Sequence, residues 1–132
     1  MKFVLVGHFC FDIHRTRKGG EEEQLGGLYN AASMLSARAS KADTIVPVCG
    51  IAQEDYPRVA AAFEKLPGVS TEGLYKMDAP TNRVQVFERP DATTIVCSKD
   101  IAPPIPFERL RRHIDCDGLL INMISGFDIS LE

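Results

Sequence analysis

The chain has 132 residues, 45% apolar and 25% charged, with 15 Lys+Arg against 18 Asp+Glu and a formal net charge of −3. This length suits one domain with a real core, and the composition is that of a globular chain, neither disordered nor fibrous. The small acidic excess argues against a protein that coats nucleic acid or anionic membrane, and leaves small substrates open.

Residues 2–13 are rich in Val, Leu and Phe and run apolar on both faces until His8, as in a strand of a parallel sheet covered on both sides. Arg15-Thr16-Arg17-Lys18, Gly19-Gly20 and Glu21-Glu22-Glu23 follow. The Gly pair signals a two-residue hairpin, because both central positions tolerate positive φ, and the opposed charges of its arms can pair across it. A basic nucleic-acid patch is the rival reading of the Arg/Lys run, but the acidic run beside it cancels the field. Gly26-Gly27 leads into a helix over residues 30–37. Residues 44–50 read as a second buried strand, built on Ile45, Val46 and Val48. A helix follows with Asp55 and Pro57 near its first turn. Val59, Ala62, Phe63 and Leu66 form its core face, and Pro67-Gly68 stops it.

Residues 81–87 and 93–98 alternate or run β-branched and form a second hairpin through Glu88-Arg89-Pro90-Asp91. Pro103, Pro104 and Pro106 stiffen the entry to a short helix bearing Phe107, Leu110 and Ile114. Residues 118–124 read as a third core strand, followed by Ser125-Gly126-Phe127. The order of strands and helices gives βαβ logic, an α/β fold with a parallel sheet, in a single domain over residues 1–132. The two polar hairpins fit poorly in such a core. They are expected to stand off it as a flap, at about residues 14–25 and 80–99, where a substrate would be enclosed.

No apolar stretch approaches the roughly 20 residues that cross a bilayer. The run of residues 3–6 ends at Gly7-His8, short of a signal-peptide core. Cys10, Cys49, Cys97 and Cys116 stand far apart with no C-x-x-C pair, the pattern of reduced thiols. A soluble, cytoplasmic protein is expected.

Ligands of parallel α/β sheets bind beyond the carboxyl ends of the strands. Those ends present His8, Cys10 and Asp12 from the first strand, Gly50 from the second, and residues 122–126 from the third. Gly26 and Gly27 lead a helix with backbone N–H groups that a ligand can approach closely. Asp12 can accept two hydroxyl hydrogen bonds, and the Asn30 amide can donate and accept. Such a polar, nearly uncharged set suits a polyol. The same residues also serve as a strand end, a turn and a helix cap. His8, Cys10, Asp12 and His14 alternate, which invites a zinc reading. On an extended strand such side chains stand about 7 Å apart, too far to converge on one ion, so no metal site is expected. G-x-G-x-x-G, G-x-x-x-x-G-K-[ST] and G-x-S-x-G are all missing. His113, inside Arg111-Arg112-His113, reads as part of a solvated helix face.

The order Val6-Gly7, Asp12, Gly26-Gly27, Asn30, Val48-Cys49-Gly50, Asp55 resembles the amino-terminal half of PfkB/ribokinase-type carbohydrate kinases. Pro80-Thr81 with its hairpin looks like their lid strand, and Ile124-Ser125-Gly126-Phe127 is similar to a segment of the adenosine kinase branch. The resemblance implies a ribokinase-like βαβ core with a small β-hairpin lid, which covers the sugar and often mediates dimerisation. By resemblance Asp12 binds sugar hydroxyls, and Gly26, Gly27 and Asn30 line the same pocket. His8 stands where adenosine kinases place a substrate-contacting Asn. The Gly26-to-Asn30 spacing is one residue shorter than the family's G-G-x-x-x-N.

The implied activity is transfer of the ATP γ-phosphoryl group, with Mg²⁺, to a hydroxyl of a sugar or nucleoside. The family's G-A-G-D-like motif, which carries the catalytic Asp, does not occur before Glu132. The catalytic Asp and the ATP-binding half are therefore expected beyond residue 132, and the fragment alone is expected to bind no ATP and to be inactive. Ending after a third parallel strand would leave a sheet edge uncovered. A non-catalytic sugar- or nucleoside-binding module and a dimerising α/β scaffold are the alternatives, with the lid strands as the place of any homodimer contact.

Overall fold

The computed structural model describes residues 1–16, 19–88, 94–124, 126 and 128–130. In chain order the elements are β1 (Lys2–Gly7), β2 (Phe9–Arg15), β3 (Glu21–Gly27), α1 (Leu28–Ser36), β4 (Thr44–Ala52), α2 (Tyr56–Glu64), a 3-10 turn (Thr71–Gly73), β5 (Leu74–Met77), β6 (Asn82–Glu88), β7 (Thr94–Asp100), α3 (Phe107–Arg111) and β8 (Gly118–Asn122).

Four of these strands form a parallel sheet in the order β5-β4-β1-β8. Val4, Leu5 and Val6 of β1 and Ile45, Val46, Val48, Cys49 and Ile51 of β4 are fully buried. Both faces of those central strands are covered, which is why their sequences read as apolar runs without alternation. Leu28 and Ala32 of α1 and Val59 and Phe63 of α2 belong to the same core. The α/β fold with a parallel sheet is thus the one the sequence implies.

The reading of residues 2–13 as one strand is corrected. The chain breaks at His8, and β1 and β2 belong to different sheets. At the break, Gly7 passes so close to Asn122 that a Cβ would lie 2.1 Å from its carbonyl oxygen. Composition conceals the change of sheet because Phe9 and Phe11 are as buried as Val4. Phe9 packs edge-on against Phe11 (5.0 Å) and against Phe63 of α2 (6.3 Å).

The second sheet has the order β3-β2-β6-β7, two antiparallel hairpins joined by a parallel pairing of β2 with β6. In the first hairpin Arg15 pairs with Glu21, and their side chains meet at 2.7 Å, so the charged arms do pair. The loop spans residues 16–20, and the Gly pair alone does not make the turn. Thr16 N–H donates to Gly20 O at 2.9 Å, and of the two glycines only Gly19 has positive φ (82°). Arg17, Lys18 and the connection at residues 89–93 lie outside the described residues. The sheet docks on α2 through Phe11, whose ring carries the guanidinium of Arg58 at 4.3 Å and that of Arg83 at 5.0 Å. Glu23 accepts from both arginines, at 2.6 and 3.4 Å.

Three further departures have simple causes. The 3-10 turn and β5 were not anticipated, because the four residues of β5 carry no β-branched run. Ile114 lies beyond the end of α3 and is exposed, since that helix has only five residues. Residues 118–122 form the sheet edge, with Leu119, Leu120 and Ile121 43%, 47% and 52% exposed, where a core strand was expected.

Asp43, just before β4, accepts from the terminal amino group and from Ser40 N–H, both at 2.8 Å. The amino group first, then Ser40, hold its carboxyl down at about 2, against an ordinary 3.8. A carboxyl depressed on folding contributes stability above its ordinary value, and that contribution is lost as pH falls toward the folded one. Asp43→Asn should therefore flatten the fall of melting temperature between about pH 4 and pH 2. Thermal melts of the two proteins across that window check this. An unchanged slope would refute it.

Candidate functional site

Alternation along β2 sends Phe9 and Phe11 toward the core and puts Cys10 and Asp12 on the other face. Cross-strand register sets Cys10 between Gly26 and Asn82, and Asp12 between Gln24 and Val84. A Cβ on Gly26 would lie 2.2 Å from Asp12 Oδ2. The half-buried Asp12 carboxylate therefore occupies the space that the missing side chain leaves. Cys10 Sγ donates to Asp12 Oδ1 at 3.2 Å. Burial, followed by the charge of Asp12, pushes the Cys10 thiol well above its usual range, so the S–H stays on as donor. Asp12 keeps its second oxygen and the remaining lone pairs for other donors.

Gly27 has φ 60° and is the N-cap of α1. A Cβ there would meet His8 O at 2.5 Å and Ile124 Cδ1 at 2.6 Å, and Leu28 N–H donates to His8 O at 3.0 Å. The glycine pair thus ends β3, folds under the β1–β2 junction and starts the helix.

The His8 ring is buried. Its Nε2 lies 3.1 Å from Pro103 O, and a carbonyl only accepts, so Nε2 carries a hydrogen. His8 N–H donates to Asp128 Oδ1 at 3.2 Å. Asn30 sits in the first turn of α1, exposed, two residues from each of the buried Leu28 and Ala32. At 100° per residue that places it opposite the core stripe.

The fold therefore gathers His8, Asp12, Gly26 and Gly27 at the junction of the two sheets, beyond the carboxyl end of β1, and sets Asn30 on the adjoining helix turn. Ser125 and Phe127 of the closing Ile124-Ser125-Gly126-Phe127 motif lie outside the described residues.

Sequence reasoning passed over three buried polar residues. Asn82 Nδ2 donates to Phe9 O at 3.3 Å and its Oδ1 accepts from Ala102 N–H, while Thr81 Oγ1 accepts from Ala52 N–H at 3.0 Å. Together they tie the start of β6 to β2 and to the end of β4. Asp128, fully buried, binds the loop beyond β8. Thr81 carried a signal in the Pro80-Thr81 motif; the other two carried none. Among the described residues no three His, Cys, Asp or Glu side chains converge as on a metal ion. A cavity of about 400 Å³ opens beyond β4 and β5, lined by Gln53, Glu54, Met77 and Asp78. It includes none of the residues expected from the sequence to bind a substrate.

No protein-family model matches the sequence, and no curated protein does either. Solved structures do match. A pyrophosphate-dependent kinase in the ribokinase family, complexed with a pyrophosphate analogue and myo-inositol, superposes with a TM-score of 0.77 at 17% identity, over 97% of this chain and 42% of the other. The chain carries the ribokinase fold. A ribokinase from Cryptococcus neoformans in complex with ADP matches with TM-score 0.58 and 17% identity, over 74% of this chain and 34% of its own. An uncharacterized sugar kinase from Pyrococcus horikoshii matches with TM-score 0.58 and 19% identity, over 76% and 34%. The chain spans less than half the length of these ribokinase-fold structures, with its parallel sheet and its four-stranded second sheet both inside the 97% match.

Proposed function

We propose that this chain is the acceptor-binding portion of a carbohydrate kinase, one that moves a phosphoryl group to a hydroxyl of a sugar, polyol or nucleoside. The observation that carries the reading is the half-buried Asp12 carboxylate, laid over Gly26 beside the junction of the two sheets. A carboxylate accepts two hydroxyl hydrogen bonds in a fixed plane, which is what orients a vicinal diol. The Cys10 thiol holds that plane from one side. Gly27, His8 and Asn30 form the surround, with His8 bracing the wall from behind. The outer part of the second sheet, at residues of about 14–25 and 80–99, is the lid over the acceptor. The myo-inositol complex among the matching structures supports a polyol as the acceptor.

ATP with Mg²⁺ is the donor we propose, with pyrophosphate as the alternative that the matching pyrophosphate-dependent kinase raises. Donor, Mg²⁺ and general base we assign to the part of a whole kinase that this chain, which covers 42% of the matching kinase, does not span. This chain's residues act on the acceptor alone: they bind it, orient its hydroxyls and exclude water. No helix of the described residues is long and apolar enough to cross a membrane, and a cytoplasmic site of action suits a kinase of small metabolites. Any dimer through the lid uses β7, because Glu21, Glu22 and Glu23 charge the β3 edge against strand addition.

Calorimetric titration of the 132-residue chain with myo-inositol, ribose and adenosine tests the reading. One of the three is expected to bind with a dissociation constant of about 1 mM or tighter. Absence of binding by all three, with no rise in melting temperature, would refute it.

A further inference from the structure

Asp128 is 0% exposed, the most buried charged side chain among the described residues. A carboxylate removed from water persists only when its oxygens are satisfied. Here Oδ1 accepts from Ile124 N–H at 2.9 Å and from His8 N–H at 3.2 Å, and Oδ2 accepts from Gly126 N–H at 3.1 Å. His8 Nδ1 also lies 3.5 Å from Oδ1, while the far side of that ring is held by Pro103 O. One carboxylate thus joins the β1–β2 junction to the loop beyond β8, and the ring of His8, whose backbone it holds, reaches the proline turn before α3.

Two of the residues it holds, His8 and Ile124, press on Gly27. Ile124 Cδ1 and His8 O are the two atoms that a Cβ on Gly27 would strike, and His8 O takes the Leu28 N–H that starts α1. Gly26, next along the chain, is the residue under the Asp12 carboxylate. The contacts run without a gap from Asp128 through His8 and Ile124 to Gly27, then to Gly26 and Asp12.

We propose that Asp128 is a positioning residue for the polyol site: it fixes His8 and Ile124 against the Gly26-Gly27 turn on which the Asp12 carboxylate rests. This rests on the reading of Asp12 as the acceptor of substrate hydroxyls. The N–H groups of His8 and Ile124 meet one oxygen and that of Gly126 the other. An Asn at position 128 keeps one acceptor oxygen and turns an NH₂ toward the Gly126 N–H or toward the His8 pair.

The test compares Asp128→Asn with Ile45→Ala, a core truncation near the amino end of β4, remote from the junction. Asp128→Ala is added if it folds. Melting temperature, myo-inositol affinity (or that of whichever acceptor the wild type binds) and the amide resonances of Gly26 and Gly27 are read on each. Asp128→Asn is expected to weaken acceptor binding about tenfold and to displace both glycine amides. Ile45→Ala, which lowers the melting temperature through its cavity, should leave affinity within twofold and those amides in place. Unmoved glycine amides in Asp128→Asn, or affinity within twofold of that of Ile45→Ala, would overturn the proposal. If the wild type binds no acceptor, the functional reading fails by itself, and the glycine amides still decide whether Asp128 sets the turn.

Discussion

Asp12→Ala should weaken acceptor binding by about tenfold to a hundredfold and leave the melting temperature nearly unchanged. The two halves of that expectation come from different observations. A hydrogen bond to a charged group is worth roughly 1.5–3 kcal/mol, and the net loss of one sets the tenfold-to-hundredfold scale. Among the described residues, however, the hydrogen bond to the Asp12 side chain comes from a thiol, a weak donor. The carboxylate is half-buried, so its removal leaves little cavity. Isothermal titration and a thermal melt on the same preparation check both halves. A large fall in melting temperature with unchanged affinity would make Asp12 a structural residue.

Gly26→Ala sharpens the point. The three atoms nearest its Cβ all belong to the Asp12 carboxylate, the free end of a side chain, and Gly26 does not have positive φ. The carboxylate can swing aside, so stability is nearly kept, whereas the orientation of the acceptor hydroxyls is lost. Gly26→Ala should therefore reproduce the binding defect of Asp12→Ala without removing the charge.

The outline of the fold was legible in the sequence because burial on both faces of β1 and β4 leaves apolar runs that no alternating strand would show. The break at His8 was not legible. It depends on Gly7 meeting Asn122, which is 115 residues later in the chain and beside it only once β8 has paired with β1. For the same reason Phe9 and Phe11 read as a continuation of the first strand: hydrophobicity reports that a residue is covered, not which layer covers it.

At the site, Asp12 and the glycine pair were legible because a hairpin registers neighbours in sequence. Once Arg15 pairs with Glu21, Cys10 must face Gly26. Asn30 shows the limit of motif spacing, since one residue fewer before it turns its side chain by about 100° around the helix. Asp128 was invisible. An Asp in a short loop beside a glycine reads as a turn residue, and the partner that buries it, His8, lies 120 positions away.

Gly27→Ala should be strongly destabilising, costing about 3 kcal/mol or more and lowering the melting temperature by about 10 °C. Two separate costs meet there. A φ of 60° with ψ of −129° lies outside the regions that an L side chain tolerates, and strain of this kind is worth roughly 1–3 kcal/mol. The new Cβ would also lie 2.5 Å from His8 O and 3.2 Å from Cys10 N, which are backbone atoms fixed by β1 and β2 and unable to swing away. Gly19→Ala separates the terms. Gly19 also has positive φ (82°), but nothing lies within 4 Å of its Cβ position, so only strain of about 1 kcal/mol is expected there. Urea denaturation of both variants measures the difference. Equal losses would mean that backbone strain alone governs the turn. A larger loss at Gly27 assigns the excess to the close approach of β3 to the His8 junction, next to the Gly26 that lies under the Asp12 carboxylate.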